Sequence, residues 1–480
     1  MLKLDCLPYR RTAGKSMQAE LNERLTRIGP GTPCGELMRR YWQPAALLDE
    51  FNPRLDPGME HRPLKAVRLL GQDLVLFKDE QGQWGLLDRD CPHRGADLSF
   101  ARFEGDGIRC PFHGWKFAAD GRCLETPAEP VVNGMPSRLC ERVRQRSYPV
   151  QVRSGVIWAY LGPEGQPLPA LPAFDAFTAP ASHSFAFKGQ WHCNWLQAME
   201  VGIDPAHPSF LHRYLEDAPL DGMVDRQNYG RQFRAESVGA VDGQRWPMTR
   251  VMREFCSPEI RLEDSAEGLM RLTTLRVMTD ALTHVRVTHA AFPHTFVIPL
   301  SPTITITQLH VPVDDTHTYW YSFFTSYAEP LDRETMREQR LAHMSLPGYV
   351  PKNGRHTNWN FKPEEQRNKT FLGMGEDDIN LHDQWAVESM GAIQDRTREH
   401  LGQSDKAIMA WRRLLRQAID TVQAGGTPPF VLTAEQAAAR TGPDTMDCIA
   451  PAQHWDRTWR DACEARRQQA PWLQAHASAA

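Results

Sequence analysis

The sequence predicts an α+β fold: a small all-β domain, then a larger domain in which helices pack against a long antiparallel sheet. Three observations support this prediction. The 480 residues suffice for roughly two or three domains. Short apolar runs and tight turns dominate residues 65–162, and a Pro/Gly-rich linker at 162–169 separates them from longer β-rich runs. Helix-forming stretches lie on both sides of those longer runs.

The N-terminal part is predicted to be partly helical. An amphipathic stretch at 21–27 precedes the loop signal Gly29-Pro30-Gly31-Thr32-Pro33, and a helix is expected at 35–41. We assign residues 1–44 to this segment, which includes an N-terminal extension.

The next part, 45–165, is predicted to be the all-β domain. Its strand signals are a Val/Leu-rich run at 66–77, a strand at 84–87 after a turn, and a pair at 150–152 and 156–161. Asp120-Gly121 is a hairpin signal between the segments 115–117 and 123–125.

The larger domain is assigned to residues 176–425, with a C-terminal extension at 426–480. A helix is predicted at 194–203. Strands are predicted in the β-rich runs 270–278, 283–289, 303–310 and 318–324. Two long helices are predicted at 381–401 and at 405–424, the second with Ser404 as its N-cap.

Composition excludes several functional classes. A net charge of −4 and a pI near 6.5 argue against nucleic-acid binding. No apolar run reaches the roughly 18 residues of a membrane helix, and no secretory signal is visible, so a cytoplasmic location is expected. In a reducing compartment the scattered cysteines should be free thiols. These are Cys6, Cys34, Cys123, Cys140, Cys193, Cys256, Cys448 and Cys463.

Two remaining cysteines each have a histidine close behind. Cys91 and His93 form a C-x-H motif, and Cys110 and His113 form a C-x-x-H motif. Two thiolates and two imidazoles can hold either zinc or a Rieske [2Fe–2S] cluster.

Two details favour the iron–sulfur cluster over zinc. Each loop supplies one cysteine and one histidine, so both loops would contact both irons of a cluster. Gly95 and Gly114 follow the two motifs and allow the backbone to approach closely. A helical zinc finger would instead present paired cysteines followed by paired histidines.

A second group of metal-ligand residues lies about 100 residues further on. Asp204, His207 and His212 form the pattern D-x-x-H-x4-H. Two histidines and one carboxylate make the facial triad of non-haem iron oxygenases, which leaves coordination positions open. The acidic run after residue 375 offers three candidates for that carboxylate, namely Asp377, Asp378 and Asp383.

These motifs together resemble the Rieske non-haem iron oxygenases that hydroxylate aromatic rings. The resemblance implies a helix-grip catalytic domain and a mononuclear iron held by His207, His212 and Asp383. Asp383 is preferred because Glu388 completes the family pattern D-x4-E at the start of a helix. The resemblance further implies that Asp204 links the iron site to a cluster histidine of a neighbouring subunit. It also implies a homotrimer and a separate NADH-dependent flavin/iron–sulfur reductase.

Four stretches, at 27–33, 40–44, 125–129 and 388–396, resemble the branch that contains phthalate 4,5-dioxygenase and dehydrodivanillate O-demethylase. The resemblance begins near Met17, so the first 16 residues are either an extension or a misassigned start. The branch implies dihydroxylation of a small aromatic acid, or alternatively O-demethylation of a methoxylated one. Pro208, Phe210 and Leu211 between the two histidines depart from phthalate-type enzymes, which have small polar residues there.

Two other functional classes remain as rivals. A Rieske ferredoxin would carry electrons only, but the second domain and its two histidines argue against it. A zinc-stabilised binding protein would lack catalysis altogether.

For an acidic substrate the sequence offers four arginines after the histidine motif as possible carboxylate ligands: Arg231, Arg234, Arg250 and Arg253.

Overall fold

The computed structural model describes residues 17–131, 137–217, 236–264 and 267–477. The proposed extension at Met1–Ser16 and Cys6 lie outside the described residues. None of the nine described cysteines forms a disulfide, and seven of these nine belong to the group predicted to be free thiols. Within the described part of the chain, no helix is long and apolar enough to cross a membrane.

Three small antiparallel sheets form the first part of the protein. Their strands are β1 (Trp42–Leu47), β2 (Leu64–Leu69), β3 (Gln72–Lys78), β4 (Trp84–Asp88), β5 (Arg102–Glu104), β6 (Gly107–Arg109), β7 (Lys116–Phe117), β8 (Cys123–Glu125), β9 (Val150–Arg153) and β10 (Val156–Tyr160). The sheets have the orders β1-β10-β9, β2-β3-β4 and β5-β6-β7-β8. The predicted all-β character is therefore confirmed.

The single apolar run predicted at 66–77 is two strands joined by a tight turn. Leu70 and Gly71 both adopt positive φ, at 51° and 72°. Two successive residues in that region form the turn type that matches the twist of a β-hairpin. The chain therefore reverses inside the run and pairs β2 with β3.

One large antiparallel sheet forms the second part. It contains β11 (Ser184–Trp191), β14 (Glu259–Asp264), β15 (Leu269–Val277), β16 (Leu282–Ala291), β17 (Thr295–Pro299), β18 (Ile304–Asp314), β19 (His317–Ser326) and β22 (Met446–Pro451). The strand order is β11-β19-β18-β17-β16-β15-β14, and β22 pairs with β16. All four predicted long strands are present. Two short hairpins lie off the sheet: β12 (Ser237–Val241) with β13 (Gln244–Pro247), and β20 (Met344–Ser345) with β21 (Val350–Pro351).

Helices cover this sheet and also lie near the first and last described residues. They are α1 (Ala19–Thr26), α2 (Pro33–Met38), α3 (Leu139–Arg142), α4 (Asp175–Thr178), α5 (Trp195–Ile203), α6 (Met248–Glu254), α7 (Arg333–Ala342), α8 (Pro363–Asn368), α9 (Ile379–Ser389), α10 (Lys406–Gln423), α11 (Ala434–Ala438), α12 (Trp455–Gln469) and α13 (Pro471–Ala477). Helix α5 agrees with its prediction, and the Asn194 side chain caps it by accepting from the Leu196 N–H at 3.1 Å. Helix α10 also agrees, except that its N-cap is Asp405 and not Ser404.

The predicted helix at 381–401 is wrong in its second half, because α9 ends at Ser389. Gly391 has a φ of +94°, which ends the helical path. The next carbonyl groups then bond to the start of α5. The Gln197 side chain donates to the Gly391 carbonyl at 2.8 Å, and the Asn194 N–H donates to the Ala392 carbonyl at 2.7 Å. If the helix continued past Ser389, these donors of α5 would lose their acceptors. The chain therefore turns at this point.

One hydrophobic cluster extends across both parts of the protein. Trp158 of β10 stacks on Phe323 of β19 with ring centroids 6.0 Å apart. A buried ion-pair group crosses the same boundary: Glu50 bonds Lys188 of β11 at 2.6 Å and Lys65 of β2 at 2.9 Å. Removal of one member of a buried ion pair is strongly destabilising. The group therefore links the all-β part to the large sheet.

Candidate metal centres

The loops that carry the first two motifs have the same backbone geometry. Cys91 follows β4, and Cys110 follows β6. In each loop the cysteine carbonyl accepts from a glycine N–H four residues later, from Gly95 at 2.8 Å and from Gly114 at 3.0 Å. Both glycines have a φ of +74°, which a residue with a side chain rarely adopts. The repeated turn presents one cysteine and one histidine from each loop.

The four predicted side chains converge at the tip of the all-β part. The rings of His93 and His113 lie 4.4 Å apart, and His93 stacks on Trp115 at 4.3 Å. Nδ1 of each histidine is buried and has no hydrogen-bond partner among the described residues. Cys91 and Cys110 are both buried. Because buried polar atoms are nearly always paired, these two nitrogens fit a bound group that accepts two imidazole ligands.

The second motif begins where α5 ends. Asp204 is the C-cap of that helix, and its Oδ1 accepts from the N–H groups of Ala206 at 2.7 Å and His207 at 3.3 Å. The Asp204 carbonyl lies 2.7 Å from Nδ1 of His207. A carbonyl can only accept, so Nδ1 carries the proton and Nε2 is free to bind a metal.

His207, His212 and Asp383 form a group able to hold one metal ion. Their ligand atoms lie within 4.8 Å of one another, and no other such group occurs in the described residues. Asp383 Oδ1 lies 3.2 Å from Nε2 of His212 and 3.8 Å from Nε2 of His207. That oxygen is buried and accepts no hydrogen bond from the described chain. The donor set fits a facial triad of two histidines and one carboxylate.

The other two candidate carboxylates do not join this group. Asp378 is the N-cap of α9, where its Oδ1 accepts from the Asn380 N–H at 3.3 Å, and it faces His343 at 3.6 Å. Asp377 is also outside the group. Glu388 is buried and accepts from the His192 N–H and the Trp359 indole, both at 3.0 Å. It therefore anchors α9 to neighbouring elements.

Sequence reasoning missed His382, which directly precedes Asp383. Its Nδ1 lies 3.1 Å from Nδ1 of His212, and the two rings stack with centroids 5.3 Å apart. Burial lowers the pKa of His382 to about 3, so it is neutral at physiological pH. The only available signal was its position next to a candidate ligand. His382 holds the His212 ring in place.

A cavity of about 160 Å³ opens beside the three metal-ligand candidates. Apolar side chains dominate its wall, including Phe296, Ile306 and Phe324, and two arginines, Arg286 and Arg340, also line it. A wider cavity of about 720 Å³ lies on the other side of Asp204 and His207, with Phe210, Phe371 and Met390 in its wall.

The arginines predicted from the sequence as carboxylate ligands are not in this wall. Arg253 pairs with Asp217 at 2.8 Å, and Arg250 pairs with Glu254 at 2.9 Å. Arg231 and Arg234 lie outside the described residues. In α6, Arg250 and Arg253 therefore both face acidic neighbours and lie outside the wall of the cavity.

Two domain families match the chain. The Rieske [2Fe-2S] domain matches residues 55–136, and the family described as LigXa C-terminal domain like matches residues 159–476. The first match contains both cysteine–histidine loops, and the second contains the whole histidine and aspartate group. The chain is an oxygenase subunit of the Rieske non-haem iron family. Its cofactors are accordingly a Rieske [2Fe–2S] cluster and a mononuclear iron, and the zinc-protein and ferredoxin alternatives are set aside.

Characterised relatives of this Rieske oxygenase differ in their reactions. The phthalate 4,5-dioxygenase oxygenase subunit of Pseudomonas putida is 31% identical over 457 residues, which cover 92% of this chain and 94% of the relative. The 5,5'-dehydrodivanillate O-demethylase oxygenase subunit of a Sphingobium species is 30% identical, covering 87% and 84%. The predicted branch is therefore confirmed.

Solved structures share the fold of this Rieske oxygenase at low sequence identity. Pseudomonas putida CBB5 NdmB has a TM-score of 0.51 at 18% identity, covering 83% of this chain and 96% of its own. The oxygenase in a complex with the ferredoxin of carbazole 1,9a-dioxygenase also has a TM-score of 0.51, at 19% identity, covering 83% and 95%. The predicted α+β fold is confirmed.

Proposed function

We propose that this Rieske oxygenase uses O₂ to dihydroxylate a small aromatic acid. The observation that carries the proposal is the group of His207, His212 and Asp383 in the wall of a cavity of about 160 Å³. An apolar cavity of roughly 150 Å³ is large enough for one benzene ring. A ring held there would lie beside the metal group and away from bulk water.

The ligand assignments form part of the proposal. Cys91 and Cys110 would hold one iron of the cluster, and His93 and His113 the other. His207, His212 and Asp383 would hold the mononuclear iron. When bound, the cluster supplies single electrons and the mononuclear iron activates O₂.

The chain itself orients these ligands and shields the site. The Asp204 carbonyl accepts the Nδ1 proton of His207, and His382 contacts Nδ1 of His212, so both Nε2 atoms face Asp383. Fixed ring orientation and tautomer raise the affinity of a histidine for metal. The apolar wall of Phe296, Ile306 and Phe324 limits water beside the reacting ring.

Asp204 would connect the iron site to the cluster of a neighbouring subunit. Asp204 is half-buried and lines both the small cavity and the wide one, so it lies between the metal group and the protein surface. Exposed apolar side chains surround the wide cavity, among them Phe210, Phe371 and Met390. These features support a homotrimer in which a neighbour covers this surface.

The electron donor is proposed to be a separate NADH-dependent flavin/iron–sulfur reductase. The relatives are named as oxygenase subunits, which implies partner components in those systems. The cluster loops support this role, because Phe100 and Phe112 are exposed near them at 74% and 56%. An exposed apolar surface beside a redox centre suits a transient partner.

A substrate panel tests the proposed function. The purified protein, reconstituted with iron and a surrogate reductase, should convert single-ring aromatic acids to cis-diols with matching O₂ consumption. Asp383→Ala is the control that should abolish product and leave the cluster spectrum unchanged. Formaldehyde from methoxylated acids, without diols, would instead support O-demethylation, which the dehydrodivanillate relative favours. Absence of any aromatic product would contradict the proposal.

A further inference from the structure

Two arginines line the cavity beside the metal group, and one of them is already neutralised. Arg286 of β16 forms an ion pair with Asp447 of β22. It also donates to the Pro299 carbonyl at 3.3 Å. Asp447 neutralises the positive charge of Arg286 inside the cavity wall. Arg286 therefore has a structural role there and does not require an anionic ligand.

Arg340 is the second arginine, and it forms no ion pair or hydrogen bond through its side chain with any described residue. It lies near the end of α7, half-buried, with its guanidinium 5.1 Å from the centre of the Phe324 ring. Arg337, one turn earlier, is paired with Asp49 at 2.8 Å. Arg333, two turns earlier, also has no ion-pair partner among the described residues, but it lines a separate pocket. Among the described arginines of α7, Arg340 is therefore the one that faces the cavity without an ion pair.

An unpaired, partly desolvated guanidinium is costly unless an anion binds to it. Burial lowers the pKa of Arg340, and the negative charge of Asp378 opposes this effect. An arginine nonetheless stays protonated in proteins, so the charge persists. A planar carboxylate is its best-matched ligand, because two parallel N–H groups can donate to two oxygens.

We propose that Arg340 anchors the carboxylate of the substrate, and that the substrate is a single-ring aromatic monocarboxylate. This inference rests on the proposed function and specifies its substrate class. The cavity of about 160 Å³ has room for one ring. Among the described residues of its wall, Arg340 supplies the one arginine without an ion-pair partner.

A dicarboxylate fits this wall poorly. Arg286 is already paired with Asp447, so the described wall offers the second charge no further unpaired arginine. That charge would meet neutral polar side chains such as Gln308, apolar ones such as Phe296, or the acidic side chain of Asp383. An unpaired carboxylate in such surroundings is strongly unfavourable. The inference therefore separates the substrate of this chain from the dicarboxylate phthalate, which the name of the Pseudomonas putida relative specifies.

Equilibrium binding to the iron-loaded protein tests the anchor without turnover. Calorimetric titration should give tighter binding of benzoate than of benzamide or phthalate to the wild-type protein. Arg340→Met should weaken benzoate binding by about 10- to 100-fold, the usual effect of losing a charged hydrogen bond, and leave benzamide within about twofold. Arg333→Met is the matched control on the same helix, because Arg333 lines a separate surface pocket, and it should change neither affinity.

The outcomes separate the anchor from the reaction. Equal wild-type affinity for benzoate and benzamide, or unchanged benzoate affinity in Arg340→Met, overturns the anchor even if aromatic acids are converted. Benzoate binding that depends on Arg340, without conversion of any aromatic acid, keeps the anchor and overturns the proposed function. The cluster spectrum checks folding of the variant. Arg340→Gln is a second variant, in which a neutral polar side chain replaces the arginine. The comparison of benzoate with benzamide in the wild-type protein tests the anchor without any variant.

Discussion

The backbone carbonyl of Asp204 lies 2.7 Å from Nδ1 of His207, while the carboxylate of the same aspartate caps the turn that carries His207. One residue therefore has two structural tasks. The carbonyl sets the tautomer of the histidine, and Oδ1 binds the turn N–H groups. The remaining carboxylate oxygen is the group proposed to reach the neighbouring subunit.

Asp204→Asn separates the cap from the proposed bridge. Asparagine is an equally good cap, so both metal centres should stay occupied. Turnover should nevertheless fall by about 10- to 100-fold or more, because asparagine lacks the negative charge that would link two imidazoles. Stopped-flow spectroscopy should show a reduced cluster that reoxidises slowly with substrate and O₂. Asp395→Asn is the matched control, since Asp395 caps another turn through the Thr397 N–H at 3.1 Å. Rapid reoxidation of Asp204→Asn with product formation would remove Asp204 from the electron path.

Asp383→Ala should remove about one iron per chain and leave the cluster intact. The lost oxygen is the buried one that faces both histidine Nε2 atoms. Asp378→Ala should keep its iron and lose only about 1 kcal/mol of stability, because Asp378 is a helix cap. Iron analysis and visible spectra of both variants decide between them. Iron loss in Asp378→Ala alone would transfer the ligand role to Asp378.

Cys110→Ser should abolish the visible and EPR signals of the cluster. A hard oxygen ligand replaces a soft thiolate poorly in an iron–sulfur site. Cys123→Ser is the matched control, because Cys123 is also buried in the all-β part but lies in β8 and outside both loops. A normal spectrum in Cys110→Ser would refute the ligand assignment.

His382→Phe should weaken binding of the mononuclear iron by about 10- to 100-fold. Phenylalanine keeps the stacking on His212 and removes the nitrogen that contacts its Nδ1. The measurement is iron retention during titration with a chelator. His289→Phe, a change of another buried histidine outside the cavity, should retain iron like the wild type. Equal retention in His382→Phe would show that His212 needs no partner.

Glu200→Gln should destabilise the fold by about 3–5 kcal/mol, because two buried arginines would lose their shared carboxylate. Glu200 of α5 bonds Arg396 at 2.9 Å and Arg412 at 2.6 Å. Glu364→Gln, in an exposed pair with Arg367, should change stability by less than about 1 kcal/mol. Chemical denaturation measures both variants, and similar small effects would contradict the importance of the buried group.

The same pair of variants gives a pH dependence. Burial raises the pKa of Glu200, but the charges of Arg396 and Arg412 outweigh this effect and leave it below the ordinary value of 4.5. A carboxylate with a depressed folded pKa stabilises the protein above its unfolded pKa, and the contribution is lost as the pH falls through the folded pKa. The stability difference between wild type and Glu200→Gln should therefore be constant from about pH 6 to 8 and shrink only in acid. A difference that shrinks near neutral pH would contradict this assignment.

The sequence by itself determined the chemistry that depends on local spacing. The two cysteine–histidine motifs lie on short loops with a glycine directly after or near each histidine. A few neighbouring residues therefore determine both the ligand types and the turn geometry. The pattern of Asp204, His207 and His212 is likewise local. The β-rich runs predicted strands of the large sheet, and the helical stretches at 194–203 and 405–424 predicted α5 and α10.

Only the tertiary structure decided relationships between distant elements. Asp377, Asp378 and Asp383 lie in or just before the same helix, and the packing of α9 determines that Asp383 faces the histidines. The end of α9 depends on hydrogen-bond donors from α5, and the sequence around Ser389 does not indicate those donors. Arg340 likewise looks like any surface arginine of an amphipathic helix. It lines the cavity without a partner because α7 packs beside the sheet that carries Phe324, and a packing contact between such distant segments cannot be inferred from local periodicity.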